Sequence, residues 1–137
     1  MVENRSTIDR ALALLSYLAH HPDGAGVRSL GTALGMSPST VFRLLDALRR
    51  NGFARQDEST GKYVIGVQAI QLGLAGLAAF DLTAIAPTYL RTLVEETGES
   101  AFLATLDDGE VVYLLKVEGR HAIRTTAVLG SARRPQV

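Results

Sequence analysis

The sequence predicts a mixed α+β protein, and three observations support that class. Up to about Asn51, apolar residues recur at three- and four-residue spacing, the period of amphipathic helices. From Phe53 onward, short apolar runs separated by polar turns indicate β-hairpins. The composition, with 47% apolar and 20% charged residues, is typical of a folded globular chain rather than a disordered one.

The first predicted helix spans residues 7–19. Ser6 is its predicted N-cap, and Asp9 stands at the capping-box position. We expect the apolar residues of this helix to form one buried stripe, made of Ile8, Ala11, Leu12, Leu15, Leu18 and Ala19.

Two further helices follow after the turn residues 22–26. A short one over residues 28–34 is expected to end at Gly35, a left-handed C-cap. Ser37 is the predicted N-cap of the third, whose first turn accommodates Pro38 because that position needs no N–H. This helix runs to about Asn51.

A hairpin with strands at residues 53–56 and 62–65 is predicted next. Residues 63–80 then contain no formal charge, but three glycines and two glutamines argue against a membrane span, as does the lack of flanking anchors. We expect instead a helix over about 67–79 that is buried or packed in a dimer. The domain boundaries predicted are 1–66, 67–80 for a linker helix, and 81–137.

The last part is predicted as a helix over 82–97 followed by strands. Asp81 is the expected cap, Pro87 lies inside the helix, and Gly98 closes it. Strands at 101–106 and 111–117 flank an Asp-Asp-Gly-Glu turn, and a third is expected near 122–127. Residues 131–137 are not expected to pack. The inner face of the helix is predicted to hold Ile85, Ala86, Tyr89, Leu90, Leu93 and Val94.

The formal charge of zero conceals an asymmetry along the chain. Residues 1–65 carry eight basic and six acidic side chains, whereas residues 66–137 carry six and eight. Between 28 and 55 there are five arginines and one acid, Asp46. Because arginine forms bidentate contacts with phosphates and base edges, this segment favours a nucleic-acid partner.

Helix, short helix, glycine turn, helix and hairpin is the order of a winged helix-turn-helix. The third helix turns an apolar stripe toward the core, which leaves its N-terminal polar residues on the opposite face, where a recognition helix reads the major groove. Plain capping of a solvated helix is the alternative for the hydroxyl residues. The predicted DNA-binding residues are Arg28, Ser37, Ser39, Thr40, Arg43, Arg55 and Lys62. Arg55 and Lys62 are placed at the base of the hairpin, for backbone or minor-groove contacts.

The chain resembles the N-terminal part of the IclR (isocitrate lyase regulator) family of bacterial transcription factors. The matching segments are spread over residues 7–130 in the family's order: 8–12, 35–45, 52–53, 61–66, 96–99, 109–113 and 128–130. The resemblance implies a winged-helix DNA-binding domain, a linker helix and a GAF-like α/β effector domain. It also implies dimers or tetramers on palindromic operators, acting as repressors or activators of catabolic genes, and a small organic acid or aromatic effector.

Three features depart from the family's pattern. Pro38 stands where a basic residue is frequent, and Gly31 replaces the usual alanine, which we attribute to close helix packing. Residues 81–137 supply too few strands to close an effector domain. We therefore expect a truncated effector-like domain, or one whose open face a dimer partner covers, which argues against effector binding by these residues alone.

Other functions fit the sequence less well. The chain has no cysteine, no P-loop, no HExxH and no G-x-S-x-G motif, so an enzyme is not expected. His20, His21 and His121 lack metal-ligand spacing, and no cofactor or metal is expected. The polar N-terminus and absent cysteines predict a cytoplasmic location. The alternative function is a winged-helix fragment used for dimerisation or protein interaction, without effector response.

Overall fold

The computed structural model describes residues 6–120, 129 and 132–133, which form two compact units. The first extends to Leu74 and the second begins at Ala75, so the division falls inside a helix. The predicted boundaries at 66/67 and 80/81 stay predictions. The elements are α1 (Thr7–Ala19), α2 (Val27–Leu34), α3 (Pro38–Arg50), β1 (Ala54–Gln56), β2 (Tyr63–Ile65), α4 (Val67–Ala78), α5 (Leu82–Thr97), β3 (Ala101–Asp107), β4 (Glu110–Val117) and β5 (Ala132–Arg133).

Helix α1 begins at the predicted capping box. The Ser6 amide donates to Asp9 Oδ2 at 2.8 Å, and the Asp9 amide donates to Ser6 Oγ at 3.1 Å. The predicted buried stripe is confirmed for Leu18 and is wrong for Ile8 and Leu12. Leu14 and Leu18 are buried, whereas Ile8 and Leu12 are 70% and 57% exposed. The helix has two apolar faces, and only the one containing Leu14 packs on the core.

The α2–α3 turn shows why residue 31 is glycine. Gly35 adopts the predicted left-handed conformation, with φ of 64°. The Met36 amide donates to the Gly31 carbonyl at 2.9 Å, and a Cβ on Gly31 would lie only 2.8 Å from the Met36 carbonyl oxygen. The predicted close packing is therefore present, and it sets the spacing between the two helices.

The hairpin is confirmed to within one residue at each strand. Ala54 pairs with Ile65 and Gln56 with Tyr63, and a bridge between Ala25 and Tyr63 ties the loop before α2 to the same ladder. One core unites the helices and the hairpin. Its buried members are Leu14, Leu18, Ala25, Leu30, Val41, Leu44, Leu45, Ala54 and Tyr63.

Helix α4 confirms the predicted helix, but the described residues leave it exposed. None of its residues is buried within the described chain, and Val67, Leu72 and Leu74 are each more than 60% exposed. The described residues therefore do not bury α4, and its packing in a dimer stays a prediction. In the part of the chain described, no single helix has the length and apolarity to cross a membrane. Only α4 and α5 taken together reach them, and the chain bends sharply at the break between these two helices.

The second unit is a helix packed against a small sheet. Helix α5 spans the predicted residues and ends at Gly98, but the Asp81 side chain makes no capping bond, so that prediction is wrong. The predicted inner face is also too wide. Ala86 and Leu90 are buried, whereas Ile85, Tyr89 and Leu93 lie on the exposed side, because a three-stranded sheet covers only a narrow strip of the helix.

Strands β3 and β4 form the predicted hairpin. Asp108 and Gly109 both have positive φ, which is the geometry of a two-residue type I′ turn. The strand predicted at 122–127 lies outside the described residues. The expectation that residues 131–137 do not pack is wrong in part, because Ala132 and Arg133 pair with Val112 and Val111 on β4.

Candidate nucleic-acid interface

The apolar stripe of α3 fixes which side of that helix faces outward. Val41 and Leu45 are fully buried and Leu44 is 5% exposed, as the predicted core stripe requires. At 100° per residue, Ser39 and Arg43 lie on the opposite side, and both are exposed. The core therefore holds the N-terminal half of α3 with its polar face toward solvent.

The hydroxyl groups at the start of α3 form a small network. Ser37 Oγ accepts the Thr40 amide at 3.3 Å, as predicted for an N-cap. It also lies 2.9 Å from Thr40 Oγ1 and 3.1 Å from Ser39 Oγ. Capping thus accounts for Ser37, but each hydroxyl both donates and accepts, so Ser39 and Thr40 retain capacity for an outside partner.

The three arginines of α3 differ in their surroundings. Arg49 and Arg50 both lie 3.4 Å from the carboxylate of Asp46, one turn earlier on the same helix. Arg43 is exposed and makes no ion pair among the residues that the structure describes. Arg43 is therefore the arginine of α3 without a carboxylate partner among the described residues, and it lies near the N-terminus, beside the hydroxyl network.

Arg28 lies next to this end of α3. It lines a shallow cleft of about 600 Å³ between α2 and the first turn of α3, together with Gly31, Thr32, Gly35, Met36 and Pro38. An anion in this cleft would meet the Arg28 guanidinium and the positive end of the α3 dipole. This arrangement suits a backbone phosphate.

The hairpin presents two more cations, and neither lies at its base as predicted. Arg55 pairs with Val64 in the middle of the ladder, and Lys62 lies just beyond the last pair, where its carbonyl accepts the Asp57 amide at 2.8 Å. The position of Lys62 is a correction with a simple cause: the loop begins right after Gln56, so residue 62 belongs to the turn. Both side chains are exposed.

Asp57 organises the tip of the hairpin. Its Oδ1 accepts from the amide and hydroxyl of Ser59 at 2.9 and 2.5 Å and from those of Thr60 at 2.9 and 3.1 Å. The bond from the Ser59 hydroxyl, followed by those from Thr60, lowers the pKa of Asp57 to about 2. This carboxylate is thus an internal acceptor that fixes the loop carrying Lys62.

Sequence reasoning missed Phe42, which is 59% exposed on α3. The signal was its place on the helix, about 60° from Ser39 on the arc away from the core. Its apolar character concealed this position, since a phenylalanine inside an apolar run is ordinarily assigned to the core.

The histidines near the end of α1 have structural partners. The Nδ1 atoms of His20 and His21 contact the carbonyls of Ser16 and Tyr17 at 2.8 and 2.7 Å. His21 also stacks on the Tyr17 ring. Among the described residues, no three His, Asp or Glu side chains are grouped to hold a metal ion.

Comparisons with known proteins agree with this arrangement. The IclR helix-turn-helix domain model matches residues 7–58, and the model for the C-terminal part of bacterial IclR regulators matches residues 74–134. The transcriptional repressor IclR of Escherichia coli (strain K12) is 33% identical over 126 residues, which is 90% of this chain and 46% of the repressor. This chain spans about half the length of the curated relatives it matches.

Solved structures show the same fold. The Thermotoga maritima IclR crystal structure is 28% identical with a TM-score of 0.71, over 92% of this chain and 51% of that one. An IclR homolog of Microbacterium hydrocarbonoxydans complexed with 4-hydroxybenzoate is 21% identical with a TM-score of 0.81, over 94% and 53%. With two family models that together match well over half of its residues, the chain belongs to the IclR family of bacterial transcriptional regulators.

Proposed function

We propose that this protein is a sequence-specific DNA-binding regulator of transcription that reads a palindromic operator of catabolic genes with α3. One observation carries the proposal: the exposed N-terminal face of α3 combines free hydroxyl capacity with an arginine, Arg43, that forms no ion pair with any described residue, beside the cleft lined by Arg28. The proposed regulator has no catalytic activity and acts in the cytoplasm.

Each predicted DNA-binding residue receives a role from its position. Arg43 donates two parallel bonds to a guanine edge, because its side chain is exposed and no described carboxylate pairs with it. Ser39 and Thr40 reach bases or phosphates, and Ser37 holds the helix end. Three cations around the helix supply phosphate contacts, which carry no sequence information. They are Arg28 at the cleft, Arg55 on the hairpin and Lys62 in the hairpin loop.

The test is selection of bound sites from random duplex DNA, followed by titration of the winning duplex. Arg43→Ala should cost about 1–3 kcal/mol of binding free energy and relax the preference at one base pair. Arg55→Ala should weaken all duplexes alike. Arg49→Ala is the matched control, since it removes the same charge from the same helix but one already paired with Asp46. An unchanged base preference in Arg43→Ala would contradict the reading role.

Self-association through α1 and α4 forms part of the proposal. Palindromic sites require a two-fold protein, and these helices expose apolar side chains that the described chain does not cover, namely Ile8, Leu12, Val67, Ile70, Leu72 and Leu74. Next to Ile8, an apolar groove of about 340 Å³ separates α1 from α3. Such surfaces on a small protein mark an interface.

Sedimentation measures this association directly. We expect a dimer at micromolar concentration, and Leu12→Asp should shift it toward monomer because a carboxylate would be placed in the interface. Thr92→Asp, on an exposed polar position of α5 outside the two helices proposed for the interface, is the control. If the unsubstituted chain sediments as a monomer, the dimer proposal fails.

The alternative function, a dimerisation or protein-interaction fragment, gives a different result in the same experiments. It predicts a dimer that selects no sequence from the random pool. Binding that is equal for all duplexes, and unaffected by Arg43→Ala beyond loss of one charge, would favour it.

The second unit is proposed as the region that responds to a small organic or aromatic acid. The relative bound to 4-hydroxybenzoate supports the ligand class, and on the sheet Phe102 contacts Tyr113 edge-on while Lys116 lies 5.9 Å from the Phe102 ring. Calorimetry with 4-hydroxybenzoate tests this. No heat at millimolar ligand would contradict effector binding by this chain.

A further inference from the structure

Phe42 stands apart from the other exposed apolar residues of the first unit. Among the described residues between 13 and 66, it is the one large apolar side chain that the structure leaves exposed. The other exposed apolar residues of this unit lie on α1 and α4. More than half of the Phe42 side chain is therefore available to a partner that packs against this face of α3.

Helix geometry places Phe42 between the two kinds of DNA contact proposed above. It lies about 100° from Arg43 and about 60° from Ser39 around the helix axis. It also follows Pro38 by one turn, on the same side of the helix, and Pro38 lines the cleft with Arg28. The side of α3 toward α1 is elsewhere, lined by Leu44, Ala47 and Leu48. A surface that contacts DNA through Arg43 and Arg28 therefore covers Phe42 as well.

The chemistry of base edges limits what the ring can contact. In the major groove the bases present hydrogen-bond donors and acceptors, and thymine alone adds an apolar group, the C5-methyl. A phenyl ring makes no hydrogen bonds with the polar edges, but it excludes water from a methyl group at van der Waals distance. Resting on the proposed function, we infer that Phe42 is a further specificity residue, which selects a thymine by packing against its C5-methyl.

Replacing thymine by deoxyuridine tests this inference, because that change removes the methyl and leaves the base pair intact. Each thymine of the selected duplex is replaced singly, and binding of the full chain is measured by fluorescence anisotropy. At one position per half-site we expect about a fourfold loss of affinity, the effect of one buried methyl. Phe42→Ala should bind both duplexes equally at that position, and Phe42→Leu should keep part of the discrimination.

Arg43→Ala is the control that separates the methyl contact from affinity in general. It should weaken binding yet keep the fourfold preference for thymine over deoxyuridine. Because Phe42 is exposed, Phe42→Ala should retain the thermal midpoint of the parent chain, which shows that any loss is not unfolding.

Three results would overturn the inference. The first is a methyl effect of equal size in the parent and in Phe42→Ala at every thymine. The second is a selected half-site without any thymine that responds to deoxyuridine. In both, the chain still binds its site and the proposed function stands. The third, absence of binding to any duplex, overturns the proposed function together with the inference.

Discussion

The two units differ in how completely they enclose a core. In the first, three helices and a hairpin surround nine buried apolar residues, of which five are essentially inaccessible. In the second, Ala86 and Leu90 are the only buried residues among those described, and every described strand residue keeps some exposure. The chain thus joins a unit with an enclosed apolar core to one in which the described residues enclose almost none.

This difference has a consequence for stability along the chain. Local opening follows the number of buried apolar groups, so the second unit should open at a lower free energy than the first. The four predictions below test that contrast, beginning with the largest expected effect.

Leu45→Ala should remove most of the stability of the first unit. Leu45 is fully buried, and such truncations cost about 2–5 kcal/mol because they leave a cavity. Hydrogen exchange should show that the amides of α1–α3 lose protection, whereas those of α5, β3 and β4 keep theirs. Leu106→Ala, at a strand position 68% exposed, is the control and should stay within about 0.5 kcal/mol. Equal loss of protection in both units would show that they unfold together.

Gly66→Ala should destabilise the first unit by about 1–3 kcal/mol, the range for overpacking. A Cβ on Gly66 would overlap the Gly52 carbonyl and approach the Ala54 amide nitrogen to 2.9 Å, and neither backbone atom can turn aside. Gly73→Ala in α4 is the matched control, where nothing lies within 4 Å, and it should instead stabilise the helix by about 0.5–1 kcal/mol. The prediction is contradicted if Gly66→Ala and Gly73→Ala shift the urea midpoint in the same direction.

Ser37→Ala should cost about 1 kcal/mol of folding free energy, the usual effect of losing an N-cap. Ser39→Ala should leave the urea midpoint unchanged, because its hydroxyl contacts Ser37 Oγ and caps no backbone group. In DNA titrations the order should reverse. Ser39→Ala should lower the affinity for the selected duplex more than Ser37→Ala does, and more than it lowers the affinity for an unselected duplex. Two variants with equal urea midpoints would assign Ser37 no capping role.

The smallest effect concerns acid. The pKa of Asp57 is lowered to about 2, so its contribution to the hairpin loop is present above pH 3.8 and is lost as the pH falls through about 2. Amide chemical shifts of Ser59 and Thr60 should follow this titration, and Asp57→Asn should abolish it. In the second unit a hydrogen bond from Lys116 also lowers the pKa of Glu118. The interaction between these two side chains should therefore also be lost as the pH falls. A midpoint near 4 for Asp57 would contradict the loop geometry.

The local elements of this fold could be predicted from the sequence because their signals are local. Ser6 with Asp9, Gly35 and the Asp108-Gly109 turn each act through neighbouring residues, and the structure confirms all three. The outward face of α3 was also accessible, since Val41 and Leu45 define it by helical spacing alone. The assignment of individual DNA contacts remains a prediction.

What sequence reasoning missed depends on contacts distant in the chain. Helical periodicity places Ile8 and Leu12 on one apolar face of α1. Which of the two apolar faces of this helix packs on the core depends on where α3 and the hairpin lie. The close approach of Gly66 to Gly52 and the pairing of Ala25 with Tyr63 have the same origin. Asp81 has the right residue type for a cap, yet its backbone is already helical, so its side chain cannot serve.

The hydroxyl network at the start of α3 has a further consequence for how strictly an operator would be specified. A guanidinium only donates, so a base pair opposite Arg43 must offer acceptors. Ser37 Oγ lies 3.1 Å from Ser39 Oγ and 2.9 Å from Thr40 Oγ1, and either oxygen of each pair can be the donor. Rotation of a hydroxyl about its C–O bond exchanges the donor and acceptor roles. Such a site adapts its polarity to the base pair without moving the backbone. A selected half-site should therefore contain a stringent position under Arg43 next to a tolerant one under the hydroxyls.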